Sequence, residues 1–227
     1  MLTQHTKIKQ LDTYSKKSSS NNDLLLNERL ITIEFENSTF KESVIPQFIE
    51  FYIQGLIYKN FKRCDFLTIT NPDNSTFQIE SDSDNLYQLL LNSLNSMSIQ
   101  PSHIVDWVRN FKSLQVIYKQ TGATETVGIL LEDKTVFAIE CLSFESAFTK
   151  LIGGLLKKQT SFYPILFVSH RLTKRDLFLF DDLLKPEIIF CQSAMTAQAV
   201  DFLAKQNITT FGFCRKNKFN RYTNFHL

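Results

Sequence analysis

Residues 164–222 read PILFVSHRLTKRDLFLFDDLLKPEIIFCQSAMTAQAVDFLAKQNITTFGFCRKNKFNRY. Ile165–Val168, Ile188–Cys191 and Ile208–Cys214 are short apolar runs. Between them, Leu177–Leu184 and Ala197–Leu203 carry apolar residues at helical spacing. Short strands that are apolar throughout, alternating with helices of about ten residues, predict a parallel sheet covered on both faces. Ligands of such sheets bind just beyond the carboxyl ends of the strands. Three polar clusters fall at those ends: Ser169-His170-Arg171, Gln192-Ser193-Ala194-Met195-Thr196, and Arg215-Lys216-Asn217-Lys218. Two of them also open a helix, whose free backbone N–H groups favour an anion. The stretch therefore predicts an α/β fold and the place of its site.

Moving outward, a length of 227 residues allows one large domain or two small ones. A net charge of +2 gives no whole-molecule field, so an anion site must be a local patch. No apolar run approaches the roughly 18 residues that span a membrane. The N-terminus lacks the apolar core of a signal peptide, so a cytoplasmic protein is expected. Cys64, Cys141, Cys191 and Cys214 are scattered without a C-x-x-C and read as free thiols. None of His5, His103, His170 and His226 pairs with Cys, Asp or Glu at metal-ligand spacing, so no metal site, and no zinc, is expected.

The upstream chain divides into a polar arm over 1–23, an N-terminal α+β lobe over 24–112 and an α/β lobe over 113–227. The arm is too polar to offset its own ordering and is expected to be flexible. Ile31, Ile33 and Phe35 alternate with polar residues as a strand. Ile45, Phe48, Ile49, Tyr52, Ile53 and Leu56 fall on one helical face, and Gly55 near its end gives no signal. Phe66–Thr70 and Thr76–Ile79 flank a turn-rich Asn71-Pro72-Asp73-Asn74 and predict a hairpin. A helix starts at Asp82–Asp84 with Leu86, Leu90 and Leu94, and another at Ser102 with Ile104, Val108 and Phe111 inward. Leu114–Tyr118 reads as a strand and Thr121–Thr124 as a loop. Val127–Leu131 and Val136–Ile139 form a second hairpin, followed by a helix with Phe144, Phe148, Leu151, Ile152 and Leu155. Gly153-Gly154 either weakens that helix or permits close packing.

The candidate ligand residues are Ser169, His170, Arg171, Ser193, Thr196, Arg215, Lys216, Asn220 and Tyr222. Arg215, Lys216, Lys218 and Arg221 put four cations in seven residues, with Tyr222 beside them to stack on a base. The same basic run is also compatible with an ordinary solvated surface. Cys214 directly precedes Arg215-Lys216, and nearby cations favour a reactive thiolate. It also continues an apolar strand, which argues for a buried, inert thiol. There is no Walker loop, no G-x-G-x-x-G and no zinc-deaminase signature.

In order and spacing these motifs resemble the FdhD/NarQ family, the formate dehydrogenase accessory sulfurtransferases, over roughly Asn27 to Thr223. The family's S-G-R-[AL]-S is similar to Ser169–Thr173, and its S-A-P-T-S-x-A-V to Ser193–Val200. Its G-F-x-R-G-G-R-x-N-x-Y-T is similar to Gly212–Thr223, and its E-D-V-G-R-H-N-A-x-D-K-L-I-G to Glu140–Gly153. Its T-G-G-x-H matches Thr121–Glu125. The chain departs at the C-x-x-C loop, where Asn92–Ser98 reads NSLNSMS. It departs also at G-R-H, here Ser143-Phe144-Glu145, at the histidine replaced by Glu125, and at the glycines replaced by Lys216-Asn217.

The resemblance implies a cytidine-deaminase-like three-layer fold without zinc, often dimeric. It implies a cytoplasmic protein that takes sulfur from a cysteine desulfurase and handles the molybdenum or tungsten bis-guanine-dinucleotide cofactor before insertion into formate dehydrogenase. The alternative is a catalytically inactive interaction or nucleotide-binding protein on the same fold. Neither a membrane nor a nucleic acid is an expected partner.

Overall fold

The computed structural model describes residues 3–11, 18–26, 29–45, 47–61, 67–70, 76–81, 99–180, 184–215 and 218–224. Strands β1 (Thr3–Leu11) and β2 (Ser18–Leu26) pair antiparallel along their whole length. Within the segment expected to be a flexible arm, residues 3–11 and 18–23 thus belong to a ladder whose backbone groups pair with one another. A four-stranded sheet follows, in the order β4-β3-β6-β5. It is built from β3 (Arg29–Phe35), β4 (Ser38–Val44), β5 (Leu67–Thr70) and β6 (Thr76–Ser81). Of these, β4 was not legible in the sequence, because Ser38 and Glu42 interrupt Phe40 and Val44 at its inward positions.

Helix α1 (Ile49–Phe61) starts four residues later than the periodicity predicts. Ile45 belongs to the end of β4, and Phe48 turns the chain with a left-handed φ of 55°. The helix is buried nearly all round because it is covered on two sides. Ile49, Tyr52, Ile53, Leu56 and Ile57 pack on Ile31, Ile33, Phe35 and Ile79 of the small sheet. Phe51 and Tyr58 face the other way, into the core of the larger sheet.

That larger sheet has the order β12-β11-β10-β9-β7-β8. Its elements are α2 (Pro101–Ser113), α3 (Val116–Thr121), β7 (Glu125–Leu131), β8 (Val136–Cys141), α4 (Phe144–Lys158) and β9 (Phe162–Val168). They continue as α5 (Lys174–Leu177), β10 (Ile188–Cys191), α6 (Ala197–Lys205), β11 (Thr209–Arg215) and β12 (Lys218–Arg221). Strands β9, β10 and β11 run parallel, as their sequence predicts. The margins are antiparallel: β7 against both β8 and β9, and β12 against β11. Neighbouring residues point to opposite faces. Leu166 joins the α4 and α6 side with Ile129, Ile189 and Leu203. Phe167 joins the α2 side with Trp107, Phe111, Phe190 and Phe211. Helix α2 thus packs on this sheet although it precedes the boundary expected at 113. The rings of Phe111, Phe167, Phe190 and Phe211 lie in a row at centroid distances of 5.5, 5.4 and 5.0 Å.

Three local readings change. Leu114–Tyr118 is not a strand. Its β-branched residues enter α3 because the Glu140 carboxylate on β8 accepts the Ile117 and Tyr118 N–H groups, both at 2.8 Å. Those donors open the helix and would otherwise be unpaired. Gly122, at φ 66°, ends it. Helix α5 spans Lys174–Leu177 and shares only Leu177 with the predicted run Leu177–Leu184, of which residues 181–183 lie outside the described residues. Gly55, which gives no signal in the sequence, is a contact point between α1 and α4: a Cβ there would lie 1.8 Å from Thr149 O. One at Gly153 would lie 1.8 Å from Phe51 O, so this glycine serves close packing. The helix expected after Asp82 lies outside the described residues.

Beside this crossing Lys150 is almost completely buried, at 1% exposure. Its Nζ donates to Ile45 O at 3.0 Å and Gln47 O at 2.6 Å, across from α4 to the turn that precedes α1. Burial lowers its pKa below the ordinary lysine value.

Candidate functional site

Beyond the carboxyl ends of β9, β10 and β11, on the α2 and α3 side, lies a cavity of about 620 Å³. Small-molecule sites commonly span about 300–1,000 Å³. The three polar clusters of the sequence meet here. Ser169 and His170 follow β9, Gln192 and Ser193 follow β10, and Arg215 ends β11. Lys112, Gln115, Tyr118, Gly122, Thr124 and Glu125 supply the opposite wall, with Cys214 below.

The strand ends are locked to one another. Ser169 Oγ accepts the Thr126 N–H at 2.8 Å, and Ser169 N–H donates to Thr126 O at 3.0 Å. Gln192 N–H donates to Val168 O at 2.8 Å, and its side-chain oxygen accepts from Gln115 Nε2 at 2.8 Å. Arg215 Nε donates to Gln192 O at 3.2 Å. The guanidinium is thus positioned at one edge while retaining further donors. A β-bulge between Gly212 and Arg215 makes this possible. Phe213 takes φ 51°, its N–H donates to Ser193 O at 3.0 Å, and Cys214 is returned to the interior. A bulky residue in the left-handed region is rare and costs roughly 1–3 kcal/mol.

Among the described residues, the other predicted ligand residues do not line the cavity. Arg171 is exposed. An isolated bridge between Leu172 and Met195 extends the pairing of β9 and β10, buries Leu172 and leaves Arg171 outside. Thr196 caps α6, its hydroxyl accepting the Ala199 N–H at 3.3 Å. Asn220 is exposed on β12 opposite Gly212. The Tyr222 ring covers Gly212, where an added Cβ would lie 2.4 Å from Cε2. Arg221 sits over the Phe211 ring at 5.7 Å. Lys216 lies outside the described residues.

Sequence reasoning missed the wall from α2, α3 and β7. The misread Leu114–Tyr118 strand concealed Gln115 and Tyr118. Gly122 was the available signal, since a glycine after Lys119-Gln120-Thr121 suits a helix end. The stretch matched to T-G-G-x-H also led here, for its last residue, Glu125, lines the cavity.

Among the described residues the thiols are buried. Burial raises the Cys191 thiol to about 11 and Cys214, with Cys191 nearby, to about 12. The cations following Cys214 do not offset its desolvation. At pH 7.5 roughly one Cys214 in ten thousand or fewer is a thiolate. A thiol-reagent titration of the native protein at that pH should therefore read at most one fast-reacting cysteine, Cys64, which lies outside the described residues. In denaturant it should read all four. Fast labelling of Cys214 would show that this burial does not suppress its chemistry.

Among the described residues no helix is long and apolar enough to cross a membrane. Comparison with known proteins places these features in context. The model of the FdhD/NarQ family matches residues 62–226. The chain is 30% identical over 122 residues to the sulfur carrier protein FdhD of Shewanella oneidensis, covering 53% of this chain and 44% of that protein. It is 23% identical over 131 residues to the sulfur carrier protein FdhD of Bacillus licheniformis, covering 58% and 50%. These alignments span about half the length of those relatives. A crystal structure from Desulfotalea psychrophila, described as a formate dehydrogenase accessory protein, superposes with a TM-score of 0.76 at 14% identity. It covers 99% of this chain and 98% of that one. That likeness is one of fold.

Proposed function

The chain belongs to the FdhD/NarQ family, and from that premise we propose that it is an accessory protein of formate dehydrogenase maturation that binds the guanine-nucleotide end of a molybdenum or tungsten cofactor. The carrying observation is the cavity at the strand ends. Lys112 and Arg215 supply positive charge there, and Ser169, Ser193 and Gln192 supply hydrogen-bonding groups. A volume of about 620 Å³ suits one nucleoside diphosphate rather than a whole bis-dinucleotide. Parallel central strands with helices on both faces support the cytidine-deaminase-like form of the α/β fold.

Sulfur transfer from a cysteine desulfurase has less support. The stretch matching the family's C-x-x-C has no cysteine, and the cavity's own thiol, Cys214, is held neutral. Cytoplasmic location and a homodimer belong to the same proposal and rest on the family alone.

Calorimetric titration with GDP tests the reading. Saturable binding is expected, with Arg215→Ala weaker by about tenfold or more, the scale of one charge-assisted hydrogen bond. Arg171→Ala, outside the cavity, should bind like the wild type. Absence of GDP binding would overturn the nucleotide reading. Unchanged formate dehydrogenase activity in a deletion strain would overturn the accessory role.

A further inference from the structure

Two of the chain's departures from the family motifs meet in space. His170 stands where S-G-R has glycine, and Phe144 where G-R-H has arginine. The two rings lie against each other with centroids 4.6 Å apart. On another side, His170 Nε2 is 3.4 Å from Asp176 Oδ2. That oxygen is fixed by the N–H and hydroxyl of Thr173, at 2.7 and 2.8 Å. A carboxylate only accepts, so Nε2 carries the proton, and Nδ1 of the neutral ring is left as an acceptor. Nδ1 is buried and has no hydrogen-bond partner among the described residues. His170 nevertheless lines the cavity. An unpaired buried polar atom is costly, and a ligand acceptor for a protonated Nδ1 would relieve part of that cost.

We propose that His170 is a proton-linked ligand residue of this cavity. It takes up a second proton from solvent when an anion binds, and donates to that anion through Nδ1–H once the ring turns this buried atom toward the cavity. The inference rests on the nucleotide-binding reading and deepens it. Asp176 on α5 and Glu125 on β7 favour a charged ring, while Lys112 on α2 and Arg215 on β11 oppose a third positive charge in the empty cavity. Cys191 on β10 and Cys214 on β11 are neutral thiols. On α4, Glu145 is engaged with Lys59 at 2.5 Å. An anion neutralises the two cavity cations and thereby removes the opposition. Anion and proton must therefore strengthen each other's binding reciprocally.

The sign follows. Affinity is greatest where the ring is charged and falls as pH rises through the range in which histidine titrates, about pH 5 to 8. The test is GDP affinity across that range for the wild type, His170→Gln and His170→Gly. GDP's own phosphate titrates too, so the readout is the ratio between proteins at each pH. The wild type should bind about tenfold more tightly than His170→Gln near pH 5.5 and about equally near pH 8. His170→Gly, the family's residue, should lose the same pH-dependent part. In proton spectra, the imidazole resonance absent from His170→Gln should titrate at higher pH with GDP than without it. Binding with parallel pH profiles and an unmoved resonance would overturn this inference and leave the nucleotide reading standing. No GDP binding by the wild type at any pH would overturn both.

Discussion

Gly153→Val should prevent stable folding, and Gly153→Ala should lower stability by about 3 kcal/mol or more. The added Cβ would sit 1.8 Å from Phe51 O and 2.6 Å from Gly55 N, both backbone atoms. A flexible side chain could swing away from such a contact; a helix backbone cannot. The reciprocal contact is equally tight, for a Cβ on Gly55 would meet Thr149 O at 1.8 Å. Relief would require α1 and α4 to separate. Both helices are anchored in cores on their far sides, so separation would open packing in each. Overpacking usually costs about 1–3 kcal/mol and more where nothing can yield. A small domain has only about 5–15 kcal/mol in total. Gly154→Ala is the comparison, since its Cβ would meet the Phe137 ring at 2.9 Å, a side chain that can tilt. Urea unfolding of the three variants checks the order. Gly153→Ala within about 0.5 kcal/mol of the wild type would show that the helices are not held at this distance.

Glu140→Ala should cost about 3 kcal/mol and also weaken GDP binding at least tenfold, without Glu140 lining the cavity. Its carboxylate accepts from Ile117 N, Tyr118 N and Thr124 Oγ1, the last at 3.1 Å. Hydrogen bonds to a charged group are worth about 1.5–3 kcal/mol each, and they are not additive. Their loss frees the first turn of α3 and the start of β7 together. Gln115, Tyr118 and Thr124 form the cavity wall between those points. Glu140→Gln should be intermediate, because its amide nitrogen cannot accept. Arg215→Ala should behave differently, losing affinity with little change in stability. Equal GDP affinity of Glu140→Ala and the wild type would mean that the wall does not depend on this carboxylate.

The sequence was most legible where one physical signal dominated. The apolar runs of β9, β10 and β11 left only a buried parallel arrangement, and the polar residues after them had to gather at one end. Ser169, Ser193 and Arg215 could be found in that way. Legibility failed where a distant residue decided the local structure. Val116-Ile117-Tyr118 has strand composition, and only the carboxylate of Glu140, on another strand, makes it a helix. Arg171 failed for a related reason. Alternation along the chain says that neighbours diverge, but only the bridge from Leu172 to Met195 says which one turns inward. Gly55 was silent because a glycine's value lies in the atoms that approach it. The thiol of Cys214 was ambiguous because burial and nearby cations act oppositely, and their balance needs coordinates.

Lys150 gives the joint between the two sheets a chemical sensitivity. Its ammonium is held by two carbonyls, Ile45 O and Gln47 O, and its folded pKa lies below that of an exposed lysine. Between those two values the unfolded chain binds more protons than the folded one, so folding expels proton into solvent. The lysine's contribution to stability therefore rises with pH across that interval and is least favourable on its acid side, where both states are charged. Docking of the lobes is in this sense an acid–base reaction, and alkalinity drives it forward.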